Sequence, residues 1–158
     1  MLNKLSYFTA IFFLFTTLVS AQVFQGQKPE KNIPNIVQAN FDTKFHSKDV
    51  VWFTHYQGRY DNKLVYEGRF IFDNRYSVAV YNREGDLIAF VANLEYNEIP
   101  IKARQYMKEN YAGREPVEAV LVTRGKDDVT YEIGVVIDNE YVVKVFTKDG
   151  DFIRSTRA

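Results

Sequence analysis

The chain has 158 residues, 46% of them hydrophobic, and its 20 Lys plus Arg are balanced by 20 Asp plus Glu. That length allows one ordinary domain or two very small ones sharing a core, and the zero formal net charge leaves no overall field to draw the chain to nucleic acid or an anionic membrane. Cysteine is absent, which excludes a disulfide framework, a lipoprotein anchor, a thiol nucleophile and a thiolate metal site.

Residues 1–21 differ from the rest. One early cation, Lys4, precedes an almost uncharged run from Leu5 to Leu18, and Val19 and Ala21 stand where a signal peptidase reads small residues. The expectation is a signal peptide cleaved between Ala21 and Gln22, with no stable membrane insertion afterwards, because the run is short for a hydrocarbon core of about 30 Å. Residues 22–34, with Pro29 and Pro34, read as a polar flexible leader. The domain is expected over 35–158, and its location is periplasmic or secreted.

Helical spacing comes next. In "NIVQANFDTKFHS" the residues Ile36, Val37, Phe41 and Phe45 fall near one face, and in "EIPIKARQYMKENYA" so do Ile99, Ala103, Tyr106, Met107 and Tyr111, with Gly113 as a stop. Each helical segment is followed by short runs with period-two alternation. Tyr66, Phe70 and Phe72 with Tyr76, Val78 and Val80 form one phase, repeated by Tyr131, Ile133, Val135 and Ile137 with Tyr141, Val143 and Val145. This phase is expected to be core. The opposite one, with Glu67, Arg69, Ser77 and Ala79, then Glu132, Gly134 and Lys144, is expected to be mostly wet.

The alternation is duplicated. Shifting the chain by 65 lays Tyr66 to Ile88 on Tyr131 to Ile153 without a gap, with ten of 23 positions identical. Two copies of one supersecondary unit are implied, about 35–93 and about 98–156, since a solenoid would need at least three. "DNR" and "DNE" read as tight hairpin turns, because Asp and Asn tolerate left-handed backbone. "EGD" and "DGD" read as turns whose glycine takes positive φ. A helix followed by antiparallel strands, twice, gives an α+β fold: one long antiparallel sheet with two helices packed on one face.

The runs "FDTKFHSKDVVWF", "YEGRFIFDNRYSVAVYNREGDLI", "EIPIKARQYMKENYAG" and "TYEIGVVIDNEYVVKVFTKDGDFI" resemble the exported PepSY-like domains of Bacteroidetes-type bacteria, also described as similar to β-lactamase-inhibitor protein. That family has a helix, a V-x-W strand, hairpins ending in D-x-x-G and a second helix opening on L-P or similar. Here Ile99-Pro100 opens the second helix, and Asn82 and Thr147 stand where an Asp often opens the turn. The resemblance covers Asn35 to about Arg154. It implies a secreted or periplasmic domain without established activity, and named relatives bind and inhibit enzymes through the open sheet face and hairpin loops. No functional residue carries over, because the matched positions are strand and turn positions.

Chemistry is sparse. His46 sits where the first helix ends and reads as a cap. There is no HExxH, Walker loop, GxSxG or GxGxxG, and the carboxylates fall in solvated turns rather than apolar settings that would raise a pKa. The Gly-Asp turns lack the alternating ligands and closing Glu of a calcium loop. Neither enzyme activity, nor a cofactor, nor a metal is expected. "VVWFTHY", by contrast, is apolar on both phases, where a half-buried strand should show polar residues outward. Phe53, His55 and Tyr81, with Phe146 in the second copy, are expected to form an aromatic strip on the uncovered face, with Arg69 beside them, and such strips mark partner sites. The reading is a non-enzymatic binding or inhibitor-like module for an unknown protein or peptide partner in the envelope. It uses that face and the hairpins at 57–63 and 124–128. A self-associating envelope protein or an unrecognised hydrolase are the alternatives.

Overall fold

In a computed structural model, residues 28–57, 63–125 and 128–157 are described. The expected signal peptide and cleavage site, most of the 57–63 hairpin and residues 126–127 of the 124–128 hairpin lie outside them. The described chain is α+β. Helix α1 (Asn35–Phe45) precedes strands β1 (Val51–Gln57), β2 (Lys63–Phe72), β3 (Arg75–Tyr81) and β4 (Leu87–Asn93); α2 (Ile101–Asn110) precedes β5 (Glu118–Arg124), β6 (Asp128–Ile137), β7 (Glu140–Thr147) and β8 (Phe152–Arg157). The strands form one antiparallel sheet in the order β1 to β8. The described residues divide into two compact units, one ending at Ile88 and the other beginning at Ala89.

In the first unit, Val37, Phe41 and Phe45 of α1 are buried. Phe41 meets Trp52 and Phe70 edge-on, at ring centroid distances of 5.2 and 4.7 Å. Phe45 packs on Phe70 and Phe72. Ile36, expected on the same face, is exposed, since it lies one residue, about 100° of helix, from Val37. Gly68 pairs with Trp52, and a Cβ there would come within 3.0 Å of the indole, so the missing side chain makes room for the ring under α1. The indole Nε1 donates to Gln38 Oε1 at 3.1 Å. His46 ends the helix at φ 50°, its backbone N–H donating to the Asp42 carbonyl. In the second unit, Ile99, Ala103 and Met107 pack with Ala119, Ile133, Val135 and Phe146.

The turns repeat in conformation as well as in sequence. Asp73 and Asn74 have φ of 49° and 61°, Asp138 and Asn139 of 50° and 66°, and Gly85 and Gly150 of 88° and 86°. The two glycines also serve the helices. A Cβ on Gly85 would lie 2.8 Å from both Ile36 Cγ1 and Asn40 Nδ2, and one on Gly150 would lie 2.9 Å from Pro100 Cβ and 3.0 Å from the Ala103 nitrogen. Asn40 Nδ2 donates to the Gly85 carbonyl at 2.8 Å, and Lys102 pairs with Asp151. Asn82 and Thr147 hold the two Gly-Asp turns with equivalent oxygens: Asn82 Oδ1 accepts from the Asp86 N–H, and Thr147 Oγ1 from the Asp151 N–H.

The alternation needs one correction. Because the Asp-Asn loops hold only two residues, Phe72 pairs with Arg75 and Ile137 with Glu140. Residues in a cross-strand pair point to the same side of a sheet. Ser77, Ala79 and Tyr81 therefore share the helix side with Phe70 and Phe72, while Tyr76, Val78 and Val80 share the other side with Glu67 and Arg69. The second unit repeats this, with Val142, Lys144 and Phe146 on the helix side. The side opposite the helices is not mostly wet either: Val78, Val80, Val143, Val145, Glu67 and Glu132 are all buried.

Candidate functional site

The structure separates the five residues of the expected aromatic strip. Tyr81 is 1% exposed and Phe146 is fully buried. Tyr81 packs its ring on Phe41 and Trp52 beneath α1, and Phe146 packs on Tyr106 of α2. Neither faces a partner, and the two-residue turns are the cause. Burial, reinforced by the charge of Asp42, pushes the Tyr81 hydroxyl up to about 12. That oxygen is buried without a hydrogen-bond partner among the described residues.

Phe53, His55 and Arg69 do meet, on the helix-free side of the first unit, around a residue that sequence reasoning assigned to solvent. Phe53 pairs across the strands with Glu67, and Val51 with Arg69. Glu67 is 1% exposed. One of its oxygens pairs with Arg69 Nε and the other lies 3.2 Å from His55 Nε2. The Arg69 Cζ sits 4.0 Å from the centre of the Phe53 ring. A carboxylate taken out of water is tolerable only when cations and donors surround it, and Arg69, over the Phe53 ring and paired with Glu67, provides charge and cover together. At the end of this floor nearest the β2–β3 hairpin, Ile71 is 61% and Val51 44% exposed, beside the half-buried Tyr76 that pairs with Ile71.

The second unit holds Glu132 at the corresponding place, equally buried, with other partners. Arg124 Nη2 donates to Glu132 Oε1 at 2.9 Å and Nη1 to Thr130 Oγ1 at 3.1 Å. Arg154 feels the same carboxylate. Burial lowers its pKa, Glu132 opposes that shift, and the neighbouring charge of Arg124 adds to it. Where Arg69 follows Glu67 by two residues, Gly134 follows Glu132, and the space goes to Tyr141: a Cβ on Gly134 would lie 2.0 Å from its hydroxyl oxygen. The Tyr141 hydroxyl donates to Glu118 Oε2 at 2.8 Å. Burial raises the Glu118 pKa against that bond, with the Glu132 charge pushing the same way as burial. Val136, the counterpart of Ile71, is again exposed.

This fold has solved counterparts. A DUF2874 family protein from Bacteroides ovatus superposes with a TM-score of 0.68 at 16% identity, covering 81% of this chain and 89% of that one. A BLIP-like protein from Bacteroides fragilis gives 0.64 at 11%, covering 82% and 89%; BLIP is the β-lactamase-inhibitor protein of the resemblance above. A proposed periplasmic protein from Bacteroides eggerthii gives 0.68 at 13%, covering 80% and 90%. No family model and no curated protein matches the chain. These likenesses establish the fold. None of the three carries the PepSY name.

Among the described residues no three His, Cys, Asp or Glu are grouped to hold a metal ion, and no helix is long and apolar enough to cross a membrane. Glu67 and Glu132 are each already engaged by cations. Such paired, buried groups supply rigidity and shape to the sheet. Glu118, Arg124, Glu132, Tyr141 and Arg154 were missed as a cluster in the sequence. The signal that could have found them is the Tyr-Glu pair at 66–67 and 131–132, identical in both copies inside otherwise apolar strands.

Proposed function

We propose that the chain is an exported, non-enzymatic binding module, periplasmic or secreted, whose helix-free sheet face takes a protein partner. The mature domain is read as 35–158, made of repeats at about 35–93 and about 98–156, behind a signal peptide ending at Ala21. The observation that carries the binding reading is the patch of Val51, Ile71 and Tyr76 beside Arg69. Large apolar side chains are exposed there on strand positions, next to a cation held in place by Phe53 and Glu67. A Tyr set among exposed apolar neighbours is the composition of binding hot spots, and Arg69, buried at 7% exposure, stiffens the floor beside them. The counterparts described as BLIP-like and as proposed periplasmic proteins support this direction.

A photo-crosslinking residue placed at Ile71 and, as a control on the helix side, at Ile101 tests the reading in the envelope fraction. An adduct of defined mass from position 71 only, lost on Tyr76→Asp, is the expected result. Identical adduct patterns from both positions would sink it, and an adduct of twice the chain mass would replace the partner by a second copy.

A further inference from the structure

We infer that the outer edge of β8 docks an extended, acidic segment of another protein, which joins the sheet as an additional strand. The inference does not depend on the patch of Val51, Ile71 and Tyr76. β8 stands last in the strand order and pairs with β7 alone. An edge strand offers a row of backbone N–H and C=O groups without partners, which is a template for another strand. The opposite edge is treated differently. There the Glu30 N–H, from the segment before α1, donates to the Trp52 carbonyl of β1 at 2.8 Å. Among the described residues nothing of that kind reaches β8.

The side chains of β8 fit the same purpose. Phe152, 39% exposed, stacks on Tyr106 at 4.7 Å with ring planes 8° apart, so an apolar surface is already held rigid. Ile153 is the residue left over where Val145 pairs with Arg154 and Phe146 with Phe152, and it is 45% exposed. Towards the other end lie Arg154 and Arg157, with no carboxylate between Phe152 and Arg157. Arg154 is a second cation near Glu132, which Arg124 already binds. Arg157 pairs with Glu140 at 3.2 Å, both side chains more than half exposed, a pair weak enough to be exchanged.

These features select the occupant. An added strand meets apolar surface at Phe152 and Ile153 and positive charge at Arg154 and Arg157, so it should carry apolar residues at one end and carboxylates at the other. A second copy of β8 fits poorly. Antiparallel pairing about a two-fold axis near Arg154 sets that residue opposite or diagonal to its twin, and like charges so placed repel.

The test uses the full chain from Gln22 on and a fluorescent eight-residue peptide with Val and Thr in one half and Glu in the other, with anisotropy as the readout. Saturable binding is expected, weakened at least about tenfold, or ~1.4 kcal/mol, by Arg154→Glu with Arg157→Glu. N-methylating alternate peptide nitrogens removes donors from one side of an extended strand only. Methylation in one phase should abolish binding and in the other leave it intact, a pattern that simple charge attraction cannot produce. Ile71→Asp should change nothing. No binding by millimolar peptide, or equal binding of both methylated phases, overturns the proposal. Should the double Arg variant lose its fold by circular dichroism, the methylation pair still decides on the unaltered chain.

Discussion

Glu132 follows Glu67 by 65 residues and repeats its burial but not its partners: Arg69 and His55 surround the first carboxylate, and Arg124, itself held by Thr130, pairs with the second. Removing one partner of a buried pair leaves an uncompensated charge, whereas replacing both by apolar groups of similar size costs little. Arg69→Met is therefore expected to destabilise the protein by about 3 kcal/mol, and Glu67→Leu with Arg69→Met by distinctly less. Urea unfolding of the single and double variants measures both, and additive losses would contradict the pairing.

The glycines of the two Gly-Asp turns answer to two constraints at once. A non-glycine residue in the left-handed region costs roughly 1–2 kcal/mol. Gly113, at φ 77° with open space around its missing Cβ, carries that cost alone, whereas Gly150 adds contact with Pro100 and Ala103. Gly150→Ala is expected to lower stability by at least about 1 kcal/mol more than Gly113→Ala. Equal losses would mean that the turn does not press on α2.

Gly134 has an ordinary φ, so any cost of a side chain there comes from the Tyr141 ring. Gly134→Ala is expected to cost about 2 kcal/mol as the hydroxyl is driven off Glu118. In a Tyr141→Ala background the same substitution should cost under about 1 kcal/mol. A double-mutant cycle reads the coupling directly.

Two titrations have predictable signs. Glu118 holds its proton more tightly in the fold than at its ordinary value of 4.5. Its contribution to stability is thus full below that pH and is lost as pH rises through the higher folded value. Relative to Glu118→Gln, the wild type should lose stability as pH rises above 4.5. Tyr81 rises from 10.0 to about 12. Its contribution is full below pH 10 and is lost on approach to 12, a loss that Tyr81→Phe should remove. Urea midpoints across pH check both, and parallel curves for wild type and variant would contradict the assignment.

Much of the architecture was legible because it rests on local rules. The spacing of Val37, Phe41 and Phe45, the Asp-Asn turns and the glycines at positive φ each specify backbone directly. The side of the sheet on which Tyr81 and Phe146 fall was misjudged, although the information was present. A two-residue loop pairs 72 with 75, and the alternation restarts on odd numbers after it. Phe53, His55 and Arg69 do lie together, but Phe53 and Arg69 are buried, at 9% and 7% exposure, rather than forming the exposed strip that the apolar "VVWFTHY" suggested. The buried Glu67 and Glu132 were not legible, since a charged residue in an alternating strand is ordinarily exposed and only the three-dimensional approach of arginines reverses that expectation.

The two-residue turns also bear on how the halves of this chain can differ. One residue inserted at Asp73-Asn74 or Asp138-Asn139 would turn the following strand over, sending Tyr81 or Phe146 into the ionic floor and Val80 or Val145 under a helix. Substitutions are tolerated between the halves, as the exchange of Arg69 for Gly134 and of Asn82 for Thr147 shows. A single-residue change of length is not. The unbroken offset of 65 over 23 residues is thus a mechanical requirement of pleated strands, and variants of this fold should change length in steps of two at these turns or lengthen elsewhere.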